Sequence, residues 1–205
     1  SEEERAVHEV NSGVYWFRTA DLLRALDCLR CDNAQGEYYL TDTIAILKGM
    51  GLRAGVFRAA GSDVILGAND RKGLLELNEI ARRRVIERHL NNGVEFLGTD
   101  GVIIGRDVEI GAGTTILPGT ILRGKTVVGK DCVLGPNSLV EDAEIGDGCI
   151  VNASQIYQSK LHNDVKMGPF VHIRPNSELC DNVKIGDFVE VKNSVVGERT
   201  AIAHL

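Results

Sequence analysis

Beginning at Ile104, every sixth residue is aliphatic: Ile110, Ile116, Leu122, Val128, Leu134 and Val140 follow in phase. One five-residue step gives Ile145 and a six-residue step gives Val151. After an interruption the phase returns at Met167, Ile173, Leu179, Ile185 and Val191, then at Val196 and Ile202. The residue after the aliphatic one is often glycine, as at Gly105, Gly111, Gly129, Gly135, Gly146, Gly168, Gly186 and Gly197. Two residues before it stands a small or β-branched side chain: Val108, Thr114, Thr120, Thr126, Cys132, Ser138, Val183 or Val189. A helix repeats near 3.6 residues and a half-buried strand every two, so a sustained six belongs to neither. It predicts a solenoid of short parallel strands, in which three hexads make one triangular coil and each aliphatic residue points inward. The dephased stretches Asn152–Gln155 and Lys160–Asn163 read as a loop bulging from one corner, the kind of segment that often carries function.

Ahead of the hexads the pattern changes. Val10–Phe17 and Leu52–Ala59 are rich in β-forming residues and read as strands. Thr19 is placed to cap a helix over Ala20–Leu29, and Thr41 or Asp42 a second helix that Gly49 and Gly51 end. This order suggests part of an α/β domain, too small for a complete nucleotide-binding sheet. Asp70 can cap a longer helix from Arg71 to Leu90, with Leu74, Leu75, Leu77, Ile80, Ala81, Val85 and Ile86 on one side. The run Arg82-Arg83-Arg84 on the other side reads as a solvated face rather than a phosphate site. Asn91-Asn92-Gly93 stops this helix, which is expected to act as an arm between domains.

Composition excludes several classes. A net charge of -6 and a pI near 5.4 argue against a general nucleic-acid binder. No run approaches the 18 apolar residues of a membrane span. Five cysteines scattered over both halves suggest reduced thiols in a cytoplasm rather than a disulfide framework. Cys28-Leu-Arg-Cys31 is a lone CxxC, read as two helix-surface thiols rather than a zinc site.

Particular motifs go further. Gly168-Pro-Phe-Val-His-Ile-Arg-Pro175 and Val183-Lys-Ile-Gly-Asp-Phe-Val-Glu-Val-Lys-Asn193 resemble the bifunctional bacterial N-acetylglucosamine-1-phosphate uridyltransferase / glucosamine-1-phosphate N-acetyltransferase family. Glu9-Val-Asn-Ser-Gly13, Asp32-Asn-Ala-Gln-Gly-Glu-Tyr-Tyr-Leu-Thr-Asp42 and Gly67-Ala-Asn-Asp-Arg71 are similar, in the same order, to that family's uridyltransferase motifs. The resemblance covers essentially the whole chain. It implies a fragment of a Rossmann-like nucleotidyltransferase domain over 1–70, a linker helix over 71–92, and the first coils of a left-handed parallel β-helix over 93–205. The left hand comes from the resemblance alone, since parallel crossovers are ordinarily right-handed.

The resemblance also implies two reactions: acetyl transfer from acetyl-CoA to glucosamine-1-phosphate, then uridylyl transfer from UTP with Mg²⁺. In the uridyltransferase half, Asn11, Tyr39 and Thr41 match positions that contact the sugar nucleotide, and Asn69 matches a contact that is also a magnesium ligand. In the acetyltransferase half, Arg174 and Lys192 match residues holding the sugar-1-phosphate, where cations suit a phosphate. His204 matches the catalytic base, a role that histidine's titration range allows. The chain opens on Ser1 and closes on Leu205, so it is expected to be an internal fragment that lacks part of both sites, the acetyl-CoA site included, and is inactive alone. A cytoplasmic homotrimer formed through the β-helix is implied as well. Two alternatives stay open: a non-catalytic trimerisation scaffold, and a related nucleotidyltransferase with a β-helix tail acting on another sugar.

Overall fold

From residue 95 onward the chain winds through strands only two or three residues long. In the computed structural model, which describes residues 10–59, 61 and 66–204, these strands form three parallel sheets. Face A runs from Glu95–Phe96 to Ala201–Ile202, face B from Ile103–Ile104 to Glu190–Val191, and face C from Glu109–Ile110 to Val195–Val196. Successive strands fall on successive faces, and each pairs in register one coil later, as Ile103 does with Ile121 and Ile121 with Leu139. Residues 1–74 form one unit and residues 75–205 another.

The hexad aliphatics line the interior. All those from Ile104 to Val196 are buried and Ile202 is half-buried, while the strand residue before each is at most partly covered. Each fully covered Ile or Leu stabilises the coil by about 1.5–3 kcal/mol. The small residues two places earlier form a second interior layer with a polar task. Thr114 donates to the Gly129 carbonyl oxygen (2.8 Å) and Ser154 to that of Gly168 (3.0 Å), each reaching into the next coil. The same hydroxyl oxygens accept backbone N–H groups, from Cys132 to Thr114 Oγ1 (3.1 Å) and from Val171 to Ser154 Oγ (3.3 Å). Buried backbone groups at the corners are satisfied in this way.

Corners need a left-handed residue. In most six-residue steps it lies three places after the inward aliphatic, as at Gly113, Asp131, Asp164, Asn176 and Asn182. Glycine, asparagine and aspartate tolerate this conformation at least cost.

The expected bulging loop at 152–163 is absent. Gln155–Tyr157 is a strand of face B and Lys160–Leu161 a strand of face C. Ile156 and Leu161 are the inward residues there, 0% and 1% exposed. The coil is shortened, because Val151 to Ile156 and Ile156 to Leu161 are five-residue steps. Their corners turn on Ala153 and Gln158, at positive φ two places after the inward residue, as Asp142 and Asn193 do in the other five-residue steps.

In the first unit, α1 spans Thr19–Leu26 and α2 spans Asp42–Gly49. They pack together through Ala25, Thr43 and Leu47. Thr19 is the first helical residue rather than the cap, which is Arg18, and α1 stops three residues short of Leu29. Cys28 and Cys31 therefore lie beyond the helix, not on its surface. Thr41 does occupy the cap of α2, without a side-chain bond, and Gly51 at φ +81° follows its end. Val10–Phe17 and Leu52–Ala59 are not strands. A strand exists only through a hydrogen-bonded neighbour, and no segment among the described residues supplies one. Trp16 and Phe57 consequently stand 98% and 93% exposed, and with Tyr15, Phe17, Leu47 and Leu52 they line an open cavity of about 960 Å³.

The third helix, α3, spans Arg71–Asn91. Asp70 Oδ1 accepts the Gly73 N–H (2.7 Å), the expected cap. Only the last turns of α3 are well covered: Ile86 and His89 are buried, Val85 packs against the coil core, and Leu74 and Leu75 are exposed. The arginine run is not merely solvated. Arg82 donates to the Thr99 carbonyl (3.0 Å), while Arg88 beyond it donates to those of Arg106 (3.0 Å) and Val108 (3.3 Å). Gly93 at φ +84° and a bond from Val94 N–H to the His89 carbonyl (3.0 Å) close α3.

Candidate functional site

The strand pairing places the three acetyltransferase candidates on the coil. His172 pairs with Glu190 and Ile173 with Val191 on face B. Arg174 and Lys192 therefore follow on successive rungs of one edge, where face B turns into face C. There the Arg174 N–H donates to the Val191 carbonyl (2.9 Å), and neighbouring rungs lie about 4.8 Å apart. Tyr157 holds the same edge position one rung earlier. His204 comes two residues after Ala201–Ile202 of face A, on the edge where that face turns into face B. Its backbone passes close over Gly186, where a Cβ would lie 3.0 Å from the His204 nitrogen. Arg174 and Lys192 are thus brought together, and His204 stands across face B from them, beyond the strand Glu190–Val191.

Charges on this face are linked. Arg174 Nη1 contacts Glu190 Oε1 at 3.2 Å, and His172 Nδ1 lies 3.7 Å from Glu190 Oε2. The Tyr157 ring meets the His172 ring edge-on, with centroids 5.6 Å apart, and its hydroxyl donates to Gln155 Oε1 (3.2 Å). Lys192 is exposed and forms no ion pair among the described residues. On the His204 side, Phe170 and Phe188 stack with centroids 5.1 Å apart, both exposed and both at positive φ. Sequence inspection missed Glu190, Tyr157 and this ring pair. Glu190 was legible in principle from its hexad position opposite His172; Phe170 and Phe188 occupy the corner position three places after Met167 and Ile185, but bulky residues rarely adopt the left-handed conformation found there.

The four uridyltransferase candidates are scattered by comparison. Asn11 donates to the Tyr15 hydroxyl, and its Oδ1 accepts the Gly13 N–H (3.0 Å). Tyr39 is half-buried and donates to Gln35 Oε1 (2.9 Å). Thr41 and Asn69 are exposed. None of the four lines the cavity of the first unit. Asn69 brings a single amide oxygen, and among the described residues no three His, Cys, Asp or Glu side chains are grouped to hold a metal. Magnesium keeps several waters and is bound through one or two protein oxygens plus substrate phosphates, and Asn69 would supply one such oxygen.

The cysteines are all free. Cys132 and Cys149 lie buried on neighbouring rungs and donate to the carbonyls of Gly146 (3.1 Å) and His162 (3.0 Å). The hydrogen bond with Cys132, and then burial, push the Cys149 thiol up, so it stays protonated and inert.

Two family models match the coils. Residues 107–142 match the family described as bacterial transferase hexapeptide (six repeats), and residues 134–204 the family described as GlmU-like, C-terminal hexapeptide. The bifunctional protein GlmU of Geobacillus sp. (strain WCH70) is 45% identical over 205 residues, covering 100% of this chain and 45% of that protein. That of Acetivibrio thermocellus is 48% identical over 203 residues, covering 99% of this chain and 44% of that protein. The chain therefore spans about half the length of the curated relatives it matches. Among solved structures, a mutant of perosamine N-acetyltransferase from Caulobacter crescentus, in complex with CoA and GDP-perosamine, is 12% identical with a TM-score of 0.44, covering 62% of this chain and 60% of that one.

Proposed function

Because residues 107–204 match the bacterial hexapeptide transferases, GlmU-like from residue 134 onward, and the whole chain is similar to bifunctional GlmU proteins, we propose that it serves the synthesis of UDP-N-acetylglucosamine. The β-helix takes part in acetyl transfer from acetyl-CoA to glucosamine-1-phosphate. Arg174 and Lys192 hold the phosphate, and His204 takes the proton from the attacking amine. The observation that carries this is the layout of face B: two cations on successive rungs of one edge and a histidine on the opposite edge. An amino sugar phosphate has its anion and its amine on adjacent carbons, only a few bonds apart, so in this proposal the long Arg174 and Lys192 side chains and the His204 ring lean inward over Glu190–Val191 to meet one ligand. A guanidinium beside an ammonium offers directional donors and point charge to the same phosphate. A histidine ring nitrogen can accept the amine proton as a general base.

In the same proposal residues 1–70 belong to the uridyltransferase domain and 71–92 to a linker helix. Asn11, Tyr39 and Thr41 then contact the sugar nucleotide, as their amide and hydroxyl groups permit. The protein assembles as a homotrimer through the β-helix. It works in the cytoplasm, where five free cysteines would stay reduced.

Titration of glucosamine-1-phosphate into the chain, followed by ³¹P NMR, tests the anion edge. Saturable binding is expected, weakened at least tenfold in Arg174→Ala and in Lys192→Ala. The edge residue Arg123, further down the same column, serves as the control, and its alanine variant is expected to bind normally. Equal binding by all three variants would refute the assignment.

A further inference from the structure

We propose that His172 is a positioning residue for the anion edge: through Glu190 it keeps the guanidinium of Arg174 open to an incoming phosphate. The inference rests on the assignment of Arg174 as the phosphate contact.

Three contacts carry it. Glu190 divides its carboxylate, with Oε1 at 3.2 Å from Arg174 Nη1 and Oε2 at 3.7 Å from His172 Nδ1. The His172 ring is fixed from the rung below by the edge-on ring of Tyr157. Tyr157 is itself steadied by its bond to Gln155 Oε1 (3.2 Å), and Gln155 pairs in register with His172. The column Gln155–His172–Glu190 thus runs up the middle of face B, and its last member reaches sideways to Arg174.

An unshared carboxylate beside a guanidinium closes on it with both oxygens, because fork-to-fork pairing is the strong geometry. That closed pair would occupy the planar donors a phosphate needs. With Oε2 drawn toward His172, Glu190 contacts one guanidinium nitrogen and leaves the others free. Glu190 therefore aims Arg174 while His172 stops it from capturing Arg174. An ordinary surface ion pair would leave His172 with no effect on anion binding, since exposed pairs contribute little. The two accounts differ in a measurable way.

The experiment is isothermal titration calorimetry of glucosamine-1-phosphate into the chain, with His172→Gln, His172→Arg, Glu190→Gln and the Glu190→Gln/His172→Gln double variant. His172→Gln is expected to weaken binding roughly two- to fivefold, the range of a partly exposed charge contact. His172→Arg is expected to restore it, because a guanidinium at that position can engage Oε2 in place of the ring. In the Glu190→Gln background, His172→Gln is expected to change nothing further, as coupling through Glu190 requires. Thermal melts of the four variants report folding separately, and the arginine rescue guards against loss through misfolding. Wild-type affinity in His172→Gln, or weakening that persists in the Glu190→Gln background, would overturn the positioning role while leaving the anion edge intact. Failure of the wild-type chain to bind would instead overturn the phosphate assignment and the inference built on it.

Discussion

Truncating Ile156 to alanine separates a continuous solenoid from one interrupted by a loop. Ile156 is 0% exposed and belongs to the face B strand Gln155–Tyr157, between Val140 and Ile173 on the flanking rungs. Removing its three outer carbons takes away the transfer free energy of those atoms and leaves a void, because the backbone on both sides is held by parallel pairing. Fully buried Ile→Ala changes cost about 2–5 kcal/mol, and a site clamped between two rungs belongs in the middle of that range, near 3–4 kcal/mol. For a unit of this size, that corresponds to a fall in melting temperature of roughly 10 °C. Urea unfolding followed by far-UV circular dichroism reads the shift, with Lys160→Ala as the outward-facing control, expected within about 0.5 kcal/mol of wild type. Solenoids unfold by nearest-neighbour terms, so the transition of Ile156→Ala is expected to broaden as well as shift. A loss under about 1 kcal/mol would mean that residues 152–163 are not a closed coil, and the shortened-step account would fall.

Two further perturbations test neighbouring claims. Burial, and then the Arg88 charge, hold the His89 pKa below its ordinary value, so the stabilisation from keeping it neutral is fully present above about pH 6.5. It is lost as the pH falls below that toward the lowered folded value. His89→Leu is therefore expected to show a smaller drop in urea midpoint between pH 7.5 and 5.5 than wild type, and an equal drop would refute the assignment. Gly111→Ala places a Cβ 2.6 Å from the Gly129 carbonyl, backbone that cannot swing aside, whereas Gly105→Ala meets nothing closer than 3.5 Å. The first is expected to lose about 1–3 kcal/mol in urea unfolding and the second to stay within about 0.5 kcal/mol of wild type; reversal of that order would contradict the coil packing.

The β-helix was readable in the sequence because each hexad repeats one physical requirement, an inward aliphatic followed by a tight corner. Ile104 to Val196 landed inside for that reason. The same regularity misled at 152–163, where strict counting by six lost Ile156 and Leu161. A corner built on one left-handed residue can close in five positions instead of six, and Ala153 and Gln158 carry no mark of it. In the first unit the failure was of another kind. Val10–Phe17 and Leu52–Ala59 have strand composition, but composition does not supply a pairing partner. Of the site, Arg174, Lys192 and His204 were named through motif resemblance, whereas their placement on two edges of face B followed only from the register. Glu190 and Tyr157 sit in the columns the hexads define, yet their contacts depend on side-chain rotamers that spacing does not encode.

A crystal structure of the chain with glucosamine-1-phosphate tests the central claim most directly. The phosphate is expected between Arg174 and Lys192, with the sugar lying over Glu190–Val191 and its amine directed toward His204. Density for the ligand on another face, or with its amine at the Arg174 edge, would contradict the account.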